Sequence, residues 1–173
     1  MAPSPDILVR HARQEDVDTI ASFSAAMALE TEGRRLDVER LRRGTMALLS
    51  APAYGFFQVA ERHDGTSDRI IAQLMITYEW SDWRNGVFWW IQSVYVDPAW
   101  RRQGIFRRMH ETLLAAAKSR PDVCGVRLYV EQANHIAQTA YRRVGLTPSS
   151  YAVYEKDFLL AHRMPLIDCP DEA

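Results

Sequence analysis

The run Arg101-Arg102-Gln103-Gly104-Ile105-Phe106 carries the densest chemistry in this sequence. It lies between a strand-like stretch at 90–96 and a helix-like stretch at 107–120. A glycine in such a turn lets the backbone come close to a ligand. A helix starting just after it offers N–H groups without an intrahelical partner and the positive end of its dipole. Arg101, Arg102, Arg107 and Arg108 add planar cationic forks suited to phosphate oxygens. The plain alternative is a solvated basic turn ahead of an amphipathic helix. A second group follows at Asn134-His135-Ile136-Ala137-Gln138-Thr139-Ala140-Tyr141, with Gly145 after it. Asn134 suits a helix cap. Tyr141 falls two turns later on roughly the same face, so both can reach one cleft. A phenol there could move a proton, or it could be a core tyrosine with its hydroxyl at the surface.

The elements that must position these residues follow from periodicity and turn signals. Strands are expected at 7–10, 56–60, 70–78, 88–96, 126–130 and 151–158. Helices are expected from about 17, with Val17, Ile20, Phe23 and Met27 at helical spacing, within 36–49, at 107–120 and at 135–144. Asp16 and Asp37 sit where helices begin. Pro52, Gly55, 63–66, Asn85-Gly86 and Asp97-Pro98 punctuate the pattern. On the helix at 107–120, Met109, Leu113, Ala116 and Ala117 share one side, and His110 reads as polar surface. The order βααβββαβαβ predicts an α/β fold: a mixed, largely antiparallel sheet with helices on both faces.

At 173 residues the chain suits one domain over 1–173, with a core of about 6–160 and a short C-terminal tail. An apolar content of 47% and a charged content of 25% are those of an ordinary globular protein, which argues against a disordered chain. A net charge of −1 gives no electrostatic argument for nucleic acid or an anionic membrane. No apolar run is long enough to span a bilayer, and no signal peptide is visible. Cys124 and Cys169 form no metal or redox pattern, and His63, His110, His135 and His162 have no metal-ligand spacing. These features predict a cytoplasmic protein without a metal.

Together the two motifs resemble the GCN5-related N-acetyltransferase (GNAT) family. Its acetyl-CoA loop reads Arg/Gln-x-x-Gly-x-Gly/Ala, and Arg101 and Gly104 fill the first two fixed positions. Phe106 departs at the third. The segment Asn134 to Tyr141 resembles the family's Asn-x-x-Ala-x-x-x-Tyr. The resemblance extends over most of the chain in the right order. It implies the acyl-CoA N-acyltransferase fold and acetyl-CoA as cosubstrate. It also implies that Val94, Tyr95 and Val96 meet the pantetheine arm through their backbone, the Val94 N–H serving as oxyanion donor. By the same resemblance, residues Arg101 to Arg107, including Gln103, Ile105 and Phe106, hold the pyrophosphate. Asn134 and Ala137 border the pantetheine, and Tyr141 protonates the leaving sulfur.

The resemblance is closest in kind to the polyamine and thialysine acetyltransferases, which favours a polyamine or lysine-like acceptor. In those enzymes a Glu stands two residues before the Val94 position, where this chain has Gln92, and an amide cannot take a proton. Glu79, Asp82, Glu30 and Glu32 are the substitute carboxylates, each more simply read as a surface charge. Glu30, Glu32, Glu79 and Gln92 are the candidate acceptor-binding residues. Trp80, Trp83, Trp89 and Trp90 either line that site, pack a dimer interface or form an aromatic core. A homodimer is the family-level expectation. The functional expectation is direct acetyl transfer to a small-molecule primary amine in a ternary complex. The alternative is a non-catalytic CoA-binding or regulatory module of the same fold.

Overall fold

The computed structural model of the protein describes residues 6–63 and 68–158. Five strands form one sheet in the order β1-β2-β3-β4-β5. They are β1 (Asp6–His11), β2 (Gly55–His63), β3 (Asp68–Ser81), β4 (Gly86–Val96) and β5 (Val123–Leu128). The first four are antiparallel neighbours, and β5 runs parallel to β4. Four helices complete the fold: α1 (Val17–Glu32), α2 (Val38–Ser50), α3 (Ile105–Lys118) and α4 (His135–Arg143).

Alternation along β2 and β3, reset by a bulge at Ile71, divides the core between the two sheet faces. Phe57, Val59 and Ile70 meet Ile20 of α1 and Leu48 of α2 on one face. Ala72, Leu74, Ile76, Trp89 and Ile91 meet Met109 and Leu113 of α3 on the other. The expected mixed sheet with helices on both faces is therefore present. Asp37 caps α2 by accepting the Arg40 N–H at 2.7 Å, and Asn134 caps α4 by accepting the Ala137 N–H at 3.0 Å. Asp97 ends β4 by accepting the Ala99 N–H at 3.0 Å. Helix α3 starts at Ile105, two residues before the expected position.

Three expectations need correction. The stretch 151–158 is not a strand, and its Tyr154 and Phe158 are 95% and 85% exposed. A strand exists through its ladder and a buried face, and the consecutive Glu155-Lys156-Asp157 interrupts the apolar alternation that would give one. His110 is not polar surface: it is 1% exposed, beside Met109 on the stripe of α3 that faces the sheet. Ala116 is exposed instead, because the buried stripe runs through Ile105, Met109, Leu113 and Ala117. The turn expected at 63–66 falls mostly outside the described residues, as does Cys169.

Candidate functional site

The site begins where β4 loses a neighbour. The β4–β5 ladder pairs Val87 through Ile91 with Val123 through Leu128 and stops there. One step on, the β3–β4 register shifts: Met75 pairs with Ser93 and Ile76 with Ile91, so Gln92 is an extra residue on β4. Such a bulge bends its strand. From Gln92 to Val96, β4 keeps β3 on one side and has no strand partner on the other among the described residues. The Asp97 N–H bonds the Ile71 carbonyl at 2.8 Å, so that pair is a hydrogen-bonded one. Alternation along an antiparallel ladder then turns the backbone groups of Val96 and Val94 away from β3, toward the open side.

The loop after β4 folds as a 3-10 turn at Pro98–Trp100 followed by an exposed turn at 101–104. Gly104 is in the left-handed region at φ 79°, as the residue before α3. The first helical bond of α3 is Arg108 N–H to Gly104 O at 3.0 Å, so the N–H groups of Ile105, Phe106 and Arg107 are left at the helix start. Arg102 has φ 64° and, among the described residues, no ion-pair partner. The Arg107 guanidinium is exposed, 3.8 Å from Glu111. Gln103 donates to the Ala99 carbonyl at 3.1 Å, and Ile105 is buried in the core. These groups could hold a pyrophosphate through backbone and guanidinium N–H.

Arg101 is differently engaged. Its Nε donates to the Val96 carbonyl at 2.9 Å and its Nη2 to Glu30 Oε2 at 2.7 Å. Tyr95 Oη donates to the other Glu30 oxygen at 2.8 Å. Burial works to raise the Glu30 carboxyl, but the bonds from Arg101 and Tyr95 prevail and hold it below the usual range. Glu30 therefore clamps the end of α1 to β4 and the loop. The carboxylate offered by the sequence as an amine binder is already occupied. Glu32 lies 3.7 Å from Arg34, and Glu79 pairs with Arg127 of β5.

Tyr141 comes from α4, and its ring meets the edge of Phe106 at 5.5 Å between centroids and 66° between planes. Phe106 also packs on the α3 side of the core. The bulky residue at the loop's third position thus fills the helix–sheet seam and orders the Tyr141 ring. Burial pushes the Tyr141 phenol above its ordinary value, so it keeps its proton through the neutral range. Asn134 and Ala137 lie half-buried two turns and one turn before it.

A row at the vertex of the opening was not visible in the sequence. Gln92 Nε2 donates to Thr77 Oγ1 at 2.7 Å, and Tyr129 Oη donates to Gln92 Oε1 at 2.9 Å. The period of β5 places Arg127 and Tyr129 on one face, which was the signal for Tyr129. Thr77 and Gln92 meet only through the β3–β4 register. Of the tryptophans, Trp89 is core and Trp90 half-buried, while Trp80 and Trp83 are 61% and 84% exposed. A hollow of about 740 Å³ lies elsewhere, beside Arg10, Asp16 and Glu61. Its central charges satisfy one another: Arg10 bonds both carboxylates.

A sheet open beside a bulge, with a glycine-headed helix at the open end, defines an α/β fold whose opening could take an extended ligand with an anionic end. The acetyltransferase (GNAT) family model matches residues 15–146, and the chain belongs to that family. It is 42% identical to a possible acetyltransferase from Clostridium difficile 630, over 90% of this chain and 99% of that one, with a TM-score of 0.80. It also shares the fold of a predicted acetyltransferase from Clostridium acetobutylicum solved with acetyl-CoA, at 18% identity over 87% of this chain and 96% of that one, with a TM-score of 0.69. An aminoglycoside N-acetyltransferase solved in complex with CoA is 9% identical over 91% of this chain and 99% of that one, TM-score 0.73. No curated protein matches the chain.

Proposed function

We propose that this protein transfers an acetyl group from acetyl-CoA to the primary amine of a small molecule by direct attack in a ternary complex. The observation that carries this reading is the open edge of β4: past Ile91 the strand has no β5 partner, and Val94 turns its backbone toward the gap. When bound, acetyl-CoA supplies the activated acyl group. The Val94 N–H, turned to the gap and held by the ladder, serves as the donor to the developing oxyanion in this reading. Val96 continues that edge, while the backbone of Tyr95 turns to Gln73 of β3 and its hydroxyl holds Glu30. Arg102, Gly104, Arg107 and the free N–H groups of α3 hold the anionic end. Arg101 shapes the loop from behind through Glu30 and the Val96 carbonyl. Asn134 and Ala137 border the arm, and Tyr141 Oη holds the proton that a leaving thiolate needs.

Resemblance to the polyamine and thialysine enzymes favours an alkyl amine as acceptor, and Gln92 in place of a carboxylate counts against it. The test is acetyl-CoA-dependent thiol release across a panel of amines, with a no-acceptor control and product mass. Acceptor-stimulated release is expected. Silence across the panel with CoA bound would favour a binding module, and absence of CoA binding would remove the loop assignment.

A further inference from the structure

We infer that the acceptor is a weakly basic primary amine, such as an α-amino group beside a carbonyl, and that Gln92 is the residue that sets this choice. The inference rests on the transferase reading above. An ammonium has no lone pair, so either the site takes the amine's proton or the amine loses it to water. The residue at the vertex, two positions before Val94, is an amide whose two ends are both fixed, to Thr77 and to Tyr129. A carboxamide does not accept a proton in the working range.

The neighbouring groups do not supply a ready base either. Tyr129 is the donor in its bond to Gln92 and is pushed up by burial, then by the carboxylates of Glu155 and Glu32, so it stays a phenol. Glu30 on α1 uses both oxygens on Tyr95 and Arg101. Glu79 on β3 is bound to Arg127, whose guanidinium stacks 3.6 Å over Phe88. Tyr141 on α4 holds a proton rather than taking one. Glu32 and Glu155 act on Tyr129 only as charges through space, and Glu32 lies 3.7 Å from Arg34.

The size of the effect follows from reference values. An alkyl amine like that of lysine has a pKa of about 10.4 and an α-amine about 7.7–8.0. At pH 7.5 the neutral fractions differ by roughly 200-fold. A stronger base is the better nucleophile, and a Brønsted slope of about 0.4–0.5, as found for sulfur nucleophiles, would leave a net advantage of about tenfold.

The experiment compares an amino acid amide with an alkyl amine of the same skeleton, with kcat/KM measured from about pH 6 to 10. The pH limb is expected to follow each amine's own pKa, with the amide favoured about tenfold at pH 7.5. Gln92→Glu is expected to speed the alkyl amine at least about tenfold and to pull its limb below the amine's pKa. Calorimetry on the CoA-bound protein should give affinities for the two amines within about threefold, so that selectivity lies in protonation and not in contacts. A limb at one pH for every acceptor, or equal turnover of both amines at pH 7.5, would overturn the inference and leave the transferase reading standing. Failure of every amine despite bound acetyl-CoA would overturn both.

Discussion

Tyr141→Phe separates chemistry from structure with the removal of one oxygen. The phenol's only resolved influence is burial, which raises its pKa. Its ring contact with Phe106, at 5.5 Å, is kept by phenylalanine. Stability should therefore change by less than about 0.5 kcal/mol, as for a substitution that breaks no buried pair. Catalysis should change far more. A positioned general acid contributes about 10²–10⁴ in rate, which is about 2.7–5.4 kcal/mol of barrier. The lower end applies here, because Tyr141 is half-buried and water can stand in for it. A fall in kcat of about 100-fold is expected, with the Kd for CoA unchanged within about twofold. Stopped-flow thiol release and calorimetry would measure the two. Because burial raises this group, the wild type should keep its acid through neutrality and lose it only above pH ~10. Unchanged kcat, or kcat and CoA affinity falling together, would refute the assignment.

Two further perturbations probe the frame. Gly104→Asp places a carboxylate at the start of α3, where φ is 79° and an added Cβ would meet only Arg107 Nη2 at 3.8 Å. Left-handed strain of about 1–2 kcal/mol should lower thermal stability modestly, while calorimetry should show CoA affinity reduced at least about tenfold by charge repulsion; retained affinity would sink the loop assignment. His110 is buried with neither ring nitrogen hydrogen-bonded among the described residues, and burial lowers its pKa. The unfolded chain thus binds a proton at about pH 6.5 that the folded one resists. Stability should be full above that pH and fall as pH drops through the interval down to the lower folded value. His110→Leu should flatten this acid-side loss in denaturant titrations, and an unchanged pH dependence would show that His110 is not its source.

The sequence by itself determined the two motifs, their order and nearly every element. Glycine, proline and capping residues act locally, so Gly104, Asn134, Asp37 and Asp97-Pro98 announce the same boundaries in any tertiary setting. Alternation and helical spacing located the core of β3, β4 and α1 for the same reason. The stretch 151–158 failed this logic because strand formation depends on a neighbour that local pattern does not supply. His110 failed it because one position around α3 separates the sheet from solvent.

Tertiary structure alone decided which residues meet. Glu30, Tyr95 and Arg101 are far apart in the chain, and their clamp depends on how the end of α1 docks on β4. The bulge at Gln92 is a property of the β3–β4 register, and the opening beside it is a property of where β5 stops. The Thr77–Gln92–Tyr129 row joins β3, β4 and the residue just past β5, and exists only once those strands are paired. Local sequence carries conformational preference, but the proton-handling character of this site is set by long-range pairing, because a side chain's chemistry depends on the partner it is held against.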